Sequence, residues 1–169
     1  MEKFIIVYHS NIAMSREIIV RKAKISDVSM IVSLWKEFMK EHDNMVLKSY
    51  PSFKAYQKRV SKADENFRKF TKRCIRSKNA TIFLAFFEDK KAGYMLLTIK
   101  PNIPVYDLKK MGYISDLYVK KIFRDKGISS IFHKKALEWF KKKKLKHTSI
   151  MVNKGNDKAL IEILSPKKE

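Results

Sequence analysis

The chain has few of the residues that form covalent or metal crosslinks. Cys74 is the one cysteine among 169 residues, which excludes an intrachain disulfide framework and a cysteine-based zinc site. The four histidines, His9, His42, His133 and His147, show no metal-ligand spacing. We therefore predict a protein without a metal cofactor, in keeping with a reducing compartment.

Long apolar segments are also missing. The hydrophobic run at residues 4–8 is too short for the apolar region of a signal peptide, and no run approaches the ~20 apolar residues that a membrane helix needs. We predict a soluble, cytoplasmic protein that makes no use of a membrane.

Acidic residues are scarce relative to basic ones. Thirty-eight Lys and Arg oppose seventeen Asp and Glu, a formal net charge of +21. Such a field attracts anions, and three interpretations stay open. The partner is a nucleic acid, or it is an anionic small ligand such as a phosphorylated cofactor, or the lysines form a solvated surface with no partner.

Glycine and proline are infrequent, and we find neither a repeat nor a low-complexity linker. Apolar periodicity predicts strands at residues 4–8 and 18–24 and a helix capped by Ser26 or Asp27. A basic helix over 53–76 follows, then strands at 81–87, 92–100 and 113–119, with a hairpin turn at Asp89–Lys90. A helix over 128–143, a strand over 147–152 and a helix over 156–164 complete the order. In the helix at 128–143 we predict these inward-facing residues: Ile128, Ile131, Phe132, Ala136, Leu137 and Phe140.

This order predicts an α/β (mixed α+β) fold in which helices flank a central mixed β-sheet on both sides. The strand–helix–strand unit over 113–152 favours two parallel neighbouring strands. We predict an N-terminal extension with a short strand at residues 1–15 and one domain at 16–169.

The segment 113–130 joins a strand to a helix through a short turn. The first N–H groups of a helix lack partners within the helix, and with the helix dipole they stabilise a phosphate. Gly127 has no Cβ and lets a ligand approach the backbone. Arg124 and Lys126 add positive charge, and Ser129 and Ser130 add hydroxyl donors. The segment is a candidate phosphate cradle.

Several motifs resemble those of one family. Arg124-x-x-Gly127-x-Ser129 is similar to the pyrophosphate loop of GNAT acetyltransferases, Arg/Gln-x-x-Gly-x-Gly/Ala, and Val119 stands five residues before it as in that family. Residues 114–119 resemble the family's fourth strand, residues 19–23 its first strand, and Asn156-x-x-Ala159 its second cofactor motif. The order of the matches across 18–164 identifies the chain as resembling GNAT superfamily N-acetyltransferases.

The resemblance implies acetyl-CoA as cosubstrate and direct attack of a primary amine, on a protein or a small molecule, at the thioester. The backbones of Leu117, Tyr118 and Val119 would pair with the pantetheine arm, and Asn156 would reach the cofactor from the last helix. The pyrophosphate would be held by Arg124 and by the loop N–H groups of Asp125, Lys126, Gly127, Ile128, Ser129 and Ser130.

Catalysis needs a base for the amine, and Asp116 stands where the family often has a carboxylate. A strand aspartate in a polar or ion-paired setting is the structural alternative. Tyr118 is the candidate acid for the leaving thiolate, with Tyr113 and Tyr94 as alternatives. Three carboxylates on the first long helix could form an acidic patch for the acceptor: Glu37, Glu41 and Asp43.

The chain also departs from the family pattern. Ser129 replaces Gly or Ala, Asp125 stands where Gly is common, Ser115 replaces a second acid, and Ile163 stands at the family's catalytic Tyr position. The usual last two strands of the sheet are missing from the pattern. We expect the strand at 4–8, or a partner chain in a homodimer, to cover the sheet edge. The rival function is a basic nucleic-acid- or ribosome-associated module on a degenerate GNAT scaffold that holds coenzyme A without turnover.

Overall fold

The computed structural model describes residues 17–150 and Val152. Five strands form one sheet, namely β1 (Ile18–Lys22), β2 (Ala80–Phe87), β3 (Lys90–Pro101), β4 (Lys110–Val119) and β5 (Thr148–Ile150). The α-helices are α1 (Val28–Ser49), α2 (Ala63–Arg76) and α3 (Ile128–Lys142). The predicted strand at 4–8, the predicted helix at 156–164 and the predicted domain boundary lie outside the described residues.

The strands follow one another across the sheet in sequence order. The first three pairings are antiparallel, while β4 and β5 are parallel, as the strand–helix–strand pattern predicted. The turn between β2 and β3 lies one residue earlier than predicted, at Glu88–Asp89. Both residues have positive φ, 48° and 61°, which a two-residue hairpin turn requires because its twist must match that of the strands.

Helices cover both faces of the sheet, so the sheet has two apolar cores. Strand residues alternate between the faces. On one face α3 packs on the sheet around Phe83, Ala85, Phe87, Met95, Leu97, Phe132 and Phe140. On the other face α1 and α2 pack around Ile31, Leu34, Cys74, Ile82, Leu84, Tyr94, Leu96 and Tyr118. The predicted mixed sheet with helices on both sides is confirmed.

The inward face of α3 differs from the prediction at two residues, and the predicted Ile131 is only partly buried. Leu137 is half exposed, whereas Trp139 is only 6% exposed. Buried positions 128, 132, 136, 139 and 140 repeat at the helical period, and Leu137 lies about 100° around the helix from Ala136. Leu137 therefore stands beside the buried face rather than on it.

The start of α1 is fixed by a partly buried ion pair. Both carboxylate oxygens of Asp27 accept hydrogen bonds from Arg21, at 2.7 and 2.9 Å, and Oδ2 also accepts the backbone N–H of Lys24 at 2.7 Å. The Arg21 guanidinium, together with that N–H, lowers the pKa of Asp27, although burial opposes the shift. These bonds tie the end of β1 to the first turn of α1.

The predicted helix over 53–76 is wrong in its first half. A 3-10 helix spans Pro51–Gln57, and α2 begins only at Ala63. Apolar periodicity places Phe53 and Val60 in one stripe of the predicted helix with Phe67, Phe70 and Cys74, but Val60 is 65% exposed and Phe53 is 48% exposed. The periodicity is real but the first half of the stripe has no core to pack against, and helices depend on such packing.

In residues 17–150, no helix has the length and hydropathy that a membrane crossing requires. Over the same residues, no three His, Cys, Asp or Glu side chains converge as metal ligands would.

Candidate active site

A β-bulge divides β4 into two halves. Leu96 of β3 pairs with Asp116, but Leu97 pairs with Ile114, so Ser115 is an extra residue in β4. A bulge bends its strand and re-aims the side chains around it. Beyond the bulge, Tyr118 joins the core under α1, while Leu117 and Val119 pack in the core under α3.

Over the described residues, the pairing between β4 and β5 extends as far as Ile114, the residue before Ser115 of the bulge. The parallel register covers Gly112–Thr148, Tyr113–Ser149 and Ile114–Ile150. Among residues 17–150, no strand pairs with β4 beyond Ile114 on that side. The second half of β4 therefore presents backbone N–H and C=O groups that β5 does not use over the described range.

Asp116 lies on the α1 face, partly exposed, and accepts a hydrogen bond from the Tyr94 hydroxyl at 2.9 Å. Burial raises the pKa of Asp116, while the Tyr94 hydrogen bond and the nearby His42 act in the opposite direction. The Tyr94 side chain is fully buried. Burial also raises the pKa of Tyr94, with the Asp116 charge adding to the shift, so Tyr94 stays a hydrogen-bond donor at neutral pH.

Tyr118 is tied to α1 through Glu41. The Tyr118 hydroxyl donates to Glu41 Oε1 at 2.9 Å, and Arg124 Nη2 donates to Glu41 Oε2 at 2.5 Å. Burial raises the pKa of Tyr118, and the hydrogen bond to Glu41 raises it further. One carboxylate thus joins the candidate acid to the candidate phosphate loop.

The loop after β4 is anchored at both ends. Arg124 Nε donates to the carbonyl of Val119 at 2.8 Å, and the buried Phe123 packs on Phe87 with ring centroids 5.5 Å apart. The loop begins with one turn of 3-10 helix at Lys121–Phe123, directly before Arg124. Ile128, 1% exposed, fixes the start of α3 in the core.

Gly127 is the residue before the first turn of α3 and has φ of +84°. A Cβ built on it would meet nothing within 4 Å. The backbone therefore takes a left-handed conformation that suits glycine, and open space lies in front of it. The first N–H groups of the fifteen-residue α3 follow directly. An exposed helix N-terminus of this kind has the positive polarity that anion sites use, and Gly127 leaves its backbone accessible.

The model of the Acetyltransferase (GNAT) family matches residues 36–161 of the chain. The chain belongs to the GNAT family. The resemblance seen in the sequence is thereby confirmed, and with it the enzyme class, an acetyltransferase.

Solved structures share the GNAT fold at low sequence identity. A predicted acetyltransferase from Clostridium acetobutylicum, solved with acetyl-CoA, has a TM-score of 0.69 at 14% identity over 90% of this chain and 92% of its own. A tetramutant of the BH1408 protein from Bacillus halodurans has a TM-score of 0.68 at 20% identity, over 89% of this chain and 96% of its own. The aminoglycoside N-acetyltransferase AAC(6′)-Iy, in complex with CoA, has a TM-score of 0.67 at 11% identity, over 91% of this chain and 90% of its own. No curated protein matches the chain.

The other residues predicted for the GNAT site are placed as follows. Lys126 Nζ lies 5.1 Å from the centroid of the Phe87 ring, and Asp125 is exposed with φ of 61°. Ser130 is exposed and Ser129 is partly exposed. Asn156 and Ile163 lie outside the described residues.

The predicted acidic patch on α1 is instead a row of ion pairs. Glu37 pairs with Lys120 at 3.1 Å, Glu41 with Arg124, and Asp43 with Arg59. The sequence signal for the first two is their i, i+4 spacing, which puts both carboxylates on one face of α1. Their partners follow β4 by one and five residues, which local patterns do not reveal.

The alternative tyrosines differ in position. Tyr94 already donates to Asp116. Tyr113 lies before the bulge, with Lys100 Nζ 4.7 Å from its ring centroid. Tyr118 is the candidate that stands two residues beyond Asp116, between the bulge and the loop.

Proposed function

We propose that this GNAT protein is an acetyl-CoA-dependent N-acetyltransferase that acetylates a primary amine on a protein or a small molecule. One observation carries the proposal: the open cradle at Gly127, where a left-handed glycine precedes the N-terminus of α3 with no atom within 4 Å of the Cβ position. A diphosphate is stabilised at such a site by unpaired N–H groups and by the helix dipole.

The residues present fit acetyl-CoA. The pyrophosphate would lie on the N–H groups of residues 125–130, with Lys126 beside it. The pantetheine amides would pair with the backbone of Leu117, Tyr118 and Val119, on the side of β4 that the described part of β5 leaves unpaired. Asn156 is proposed as a further contact by resemblance alone. Acetyl-CoA supplies an acyl group activated as a thioester.

In the proposed reaction the amine nitrogen attacks the acetyl carbonyl carbon and the carbon–sulfur bond breaks. The amine proton passes to Asp116, directly or through a water molecule. Its raised pKa makes Asp116 a stronger base than an ordinary aspartate once ionised. Tyr118, protonated at neutral pH, is proposed to give a proton to the coenzyme A thiolate.

The acceptor class is a primary amine. Two similar structures, one with CoA and one with a bisubstrate analogue, are of one aminoglycoside N-acetyltransferase, AAC(6′)-Iy. An aminoglycoside therefore belongs in the first panel of acceptors, together with spermidine and a peptide with a free N-terminus. A cytoplasmic location and a homodimer stay predictions from the sequence.

Calorimetry with acetyl-CoA tests the cradle, using wild type, Gly127→Glu and Gly127→Gln. The two side chains are nearly equal in size and impose the same backbone strain, but only Glu adds a negative charge. We expect the glutamate variant to bind at least tenfold more weakly than the glutamine variant. Equal affinities would place the pyrophosphate elsewhere, and absent binding to wild type would overturn the proposal.

Thiol release with the amine panel tests transfer itself. We expect at least one amine to accelerate coenzyme A release above the rate of hydrolysis in wild type. Tight acetyl-CoA binding with no acceleration by any primary amine would favour the rival, a module that holds coenzyme A without turnover.

A further inference from the structure

Charge is distributed unevenly over the fold. Residues 66–87 and 139–150 together contain eleven Lys and Arg and no Asp or Glu. These segments form most of α2, the strand β2 and the C-terminal end of α3 with β5. Glu37 and Glu41, beside the candidate active site, pair with Lys120 and Arg124. The two basic segments have no carboxylate within their own length.

The basic segments meet around a pocket of about 270 Å³. The pocket lies between the end of β1, the start of β2 and the C-terminal ends of α2 and α3. We call it the lysine pocket, because four lysines line it and no carboxylate does: Lys22, Lys78, Lys142 and Lys143. Ser77 and Thr81 add hydroxyl groups to its wall.

The lysines of this pocket are not neutralised within the described part of the chain. None of the four takes part in a salt bridge there, whereas several other lysines do. Lys143 has one further contact, since its Nζ lies 5.8 Å from the centroid of the Trp139 ring. Four lysines that line one pocket without a carboxylate give it a positive potential, which attracts anions.

The lysine pocket is separate from the cofactor cradle. The cradle lies at the N-terminus of α3, and Lys142 ends that helix fifteen residues later. At 1.5 Å per residue the two sites are about 22 Å apart along the helix. Cations at a helix C-terminus complement the dipole, which accounts for Lys142 but not for Lys22 on β1 or Lys78 before β2.

We propose that the lysine pocket and its basic rim are a docking surface for the phosphate backbone of a nucleic acid. A polymer is favoured over a small phosphorylated ligand because the α2 and α3 segments that line the pocket carry further exposed cations: Lys72, Arg73, Arg76, Lys141, Lys144 and Lys146. Trp139, the aromatic side chain of the pocket, is 6% exposed and cannot stack on a base. Recognition is therefore electrostatic and independent of sequence.

The test is fluorescence anisotropy with a labelled 20-nucleotide oligouridine and a 20-base-pair DNA duplex, over a range of KCl concentrations. The pocket variant carries Lys78→Glu, Lys142→Glu and Lys143→Glu. The matched control carries Lys48→Glu, Lys54→Glu and Lys90→Glu, which changes the net charge equally at exposed residues away from the pocket. A glutamine version of the pocket variant repeats the test with milder changes.

We expect wild type to bind both probes with steep salt dependence. The pocket variant is expected to bind the oligouridine at least tenfold more weakly at 100 mM KCl, with a salt slope about 2 units smaller, because three phosphate contacts are lost. The control is expected to stay within threefold of wild type. Acetyl-CoA should not displace the probe, since the two sites are separate.

Three results would overturn the proposal. The first is that wild type binds neither probe. The second is that the control loses as much affinity as the pocket variant, because the effect would then be one of net charge alone. Displacement of the oligouridine by stoichiometric pyrophosphate or acetyl-CoA would assign the site to a small phosphorylated ligand instead.

Discussion

The Asp116 side chain on β4 is partly buried, and this burial makes the stability of the protein depend on pH. Burial raises its pKa in the folded chain. A carboxyl group whose pKa is higher in the folded than in the unfolded state binds more protons when folded. Stability is therefore lost as pH rises from the ordinary carboxyl pKa through the raised one. Above the raised pKa the ionised Asp116 opposes folding, as expected of a residue whose role is chemical rather than structural.

Asp116→Asn is therefore expected to separate activity from stability. The amide oxygen can still accept the Tyr94 hydrogen bond, but it cannot take a proton from the amine. We expect kcat/KM to fall by about 100-fold or more, while Tm at pH 7 stays equal to that of wild type or rises. Thiol release and thermal unfolding measure the two effects.

The matched control for this change is Asp107→Asn, at an exposed carboxyl in the loop between β3 and β4. It should alter neither quantity. If Asp116→Asn left kcat/KM within threefold of wild type, the strand-aspartate alternative would hold, and Asp116 would have a structural role only.

The two tyrosines of the site are expected to respond differently to loss of their hydroxyl groups. The Tyr94 hydrogen bond lowers the pKa of Asp116, so Tyr94→Phe should move the acidic limb of the kcat/KM profile to higher pH. Tyr118→Phe should leave that limb in place and lower kcat about tenfold or more, because the proton donor is lost. The measurement is kcat/KM from pH 4.5 to 9 for both variants.

A Tyr118→Phe variant with the kcat of wild type would exclude Tyr118 as the acid. Acetyl-CoA affinity serves as its control, since the backbone of Tyr118, which the cofactor would contact, is unchanged by this substitution. If Tyr94→Phe shifted no limb, then Asp116 is not the group whose ionisation limits kcat/KM.

At the scale of elements, local patterns predicted what local physics determines. Short apolar runs predicted β2, β3 and the end of β4, and Gly127 with its flanking cations predicted the candidate phosphate loop. The features that depend on distant partners were missed. Glu41 meets Tyr118 and Arg124 across 77 and 83 residues, and the bulge at Ser115 depends on the register with β3. The false start of α2 has the same origin, because periodicity does not reveal whether a core lies opposite.

Close approach of β3 and β4 beside the site predicts a sensitive glycine. A Cβ on Gly93 would lie 2.2 Å from the carbonyl oxygen of Tyr118 and 3.1 Å from Val119 Cα. Both are backbone atoms, so β4 itself must move. We expect Gly93→Ala to lower the free energy of unfolding by about 1–3 kcal/mol and to weaken acetyl-CoA binding, as measured by urea unfolding and calorimetry.

Gly127→Ala is the comparison for Gly93→Ala, because a Cβ there meets no neighbour within 4 Å. It should cost only backbone strain of about 1–2 kcal/mol at its left-handed φ. Gly93→Ala with wild-type stability and affinity would mean that the strands separate freely at Tyr118, which contradicts a β4 held rigidly for the cofactor.

Over the whole molecule, the pairing of charges differs between the candidate active site and the lysine pocket. At the candidate active site Glu37 and Glu41 pair with Lys120 and Arg124, whereas the four lysines of the pocket make no salt bridge within the described residues. A protein that binds acetyl-CoA at one site and a nucleic acid at another would acetylate amines close to the bound nucleic acid. This coupling rests on both proposals, and each has its own experiment.

The net charge of +21 also predicts how salt acts on stability. Like charges at this density repel one another in the compact state. Salt at 0.3 M weakens this repulsion, because the screening length is then less than ~8 Å. We expect Tm to rise by roughly 4 °C or more between 20 and 300 mM NaCl, as measured by thermal unfolding. The lysine-pocket triple variant should start with a higher Tm at low salt and respond less, because it removes repulsion where lysines converge. A Tm that falls with salt would mean that the ion pairs between α1 and the β4–α3 loop outweigh the repulsion, and the charge reversals in the pocket should then leave Tm unchanged at low salt.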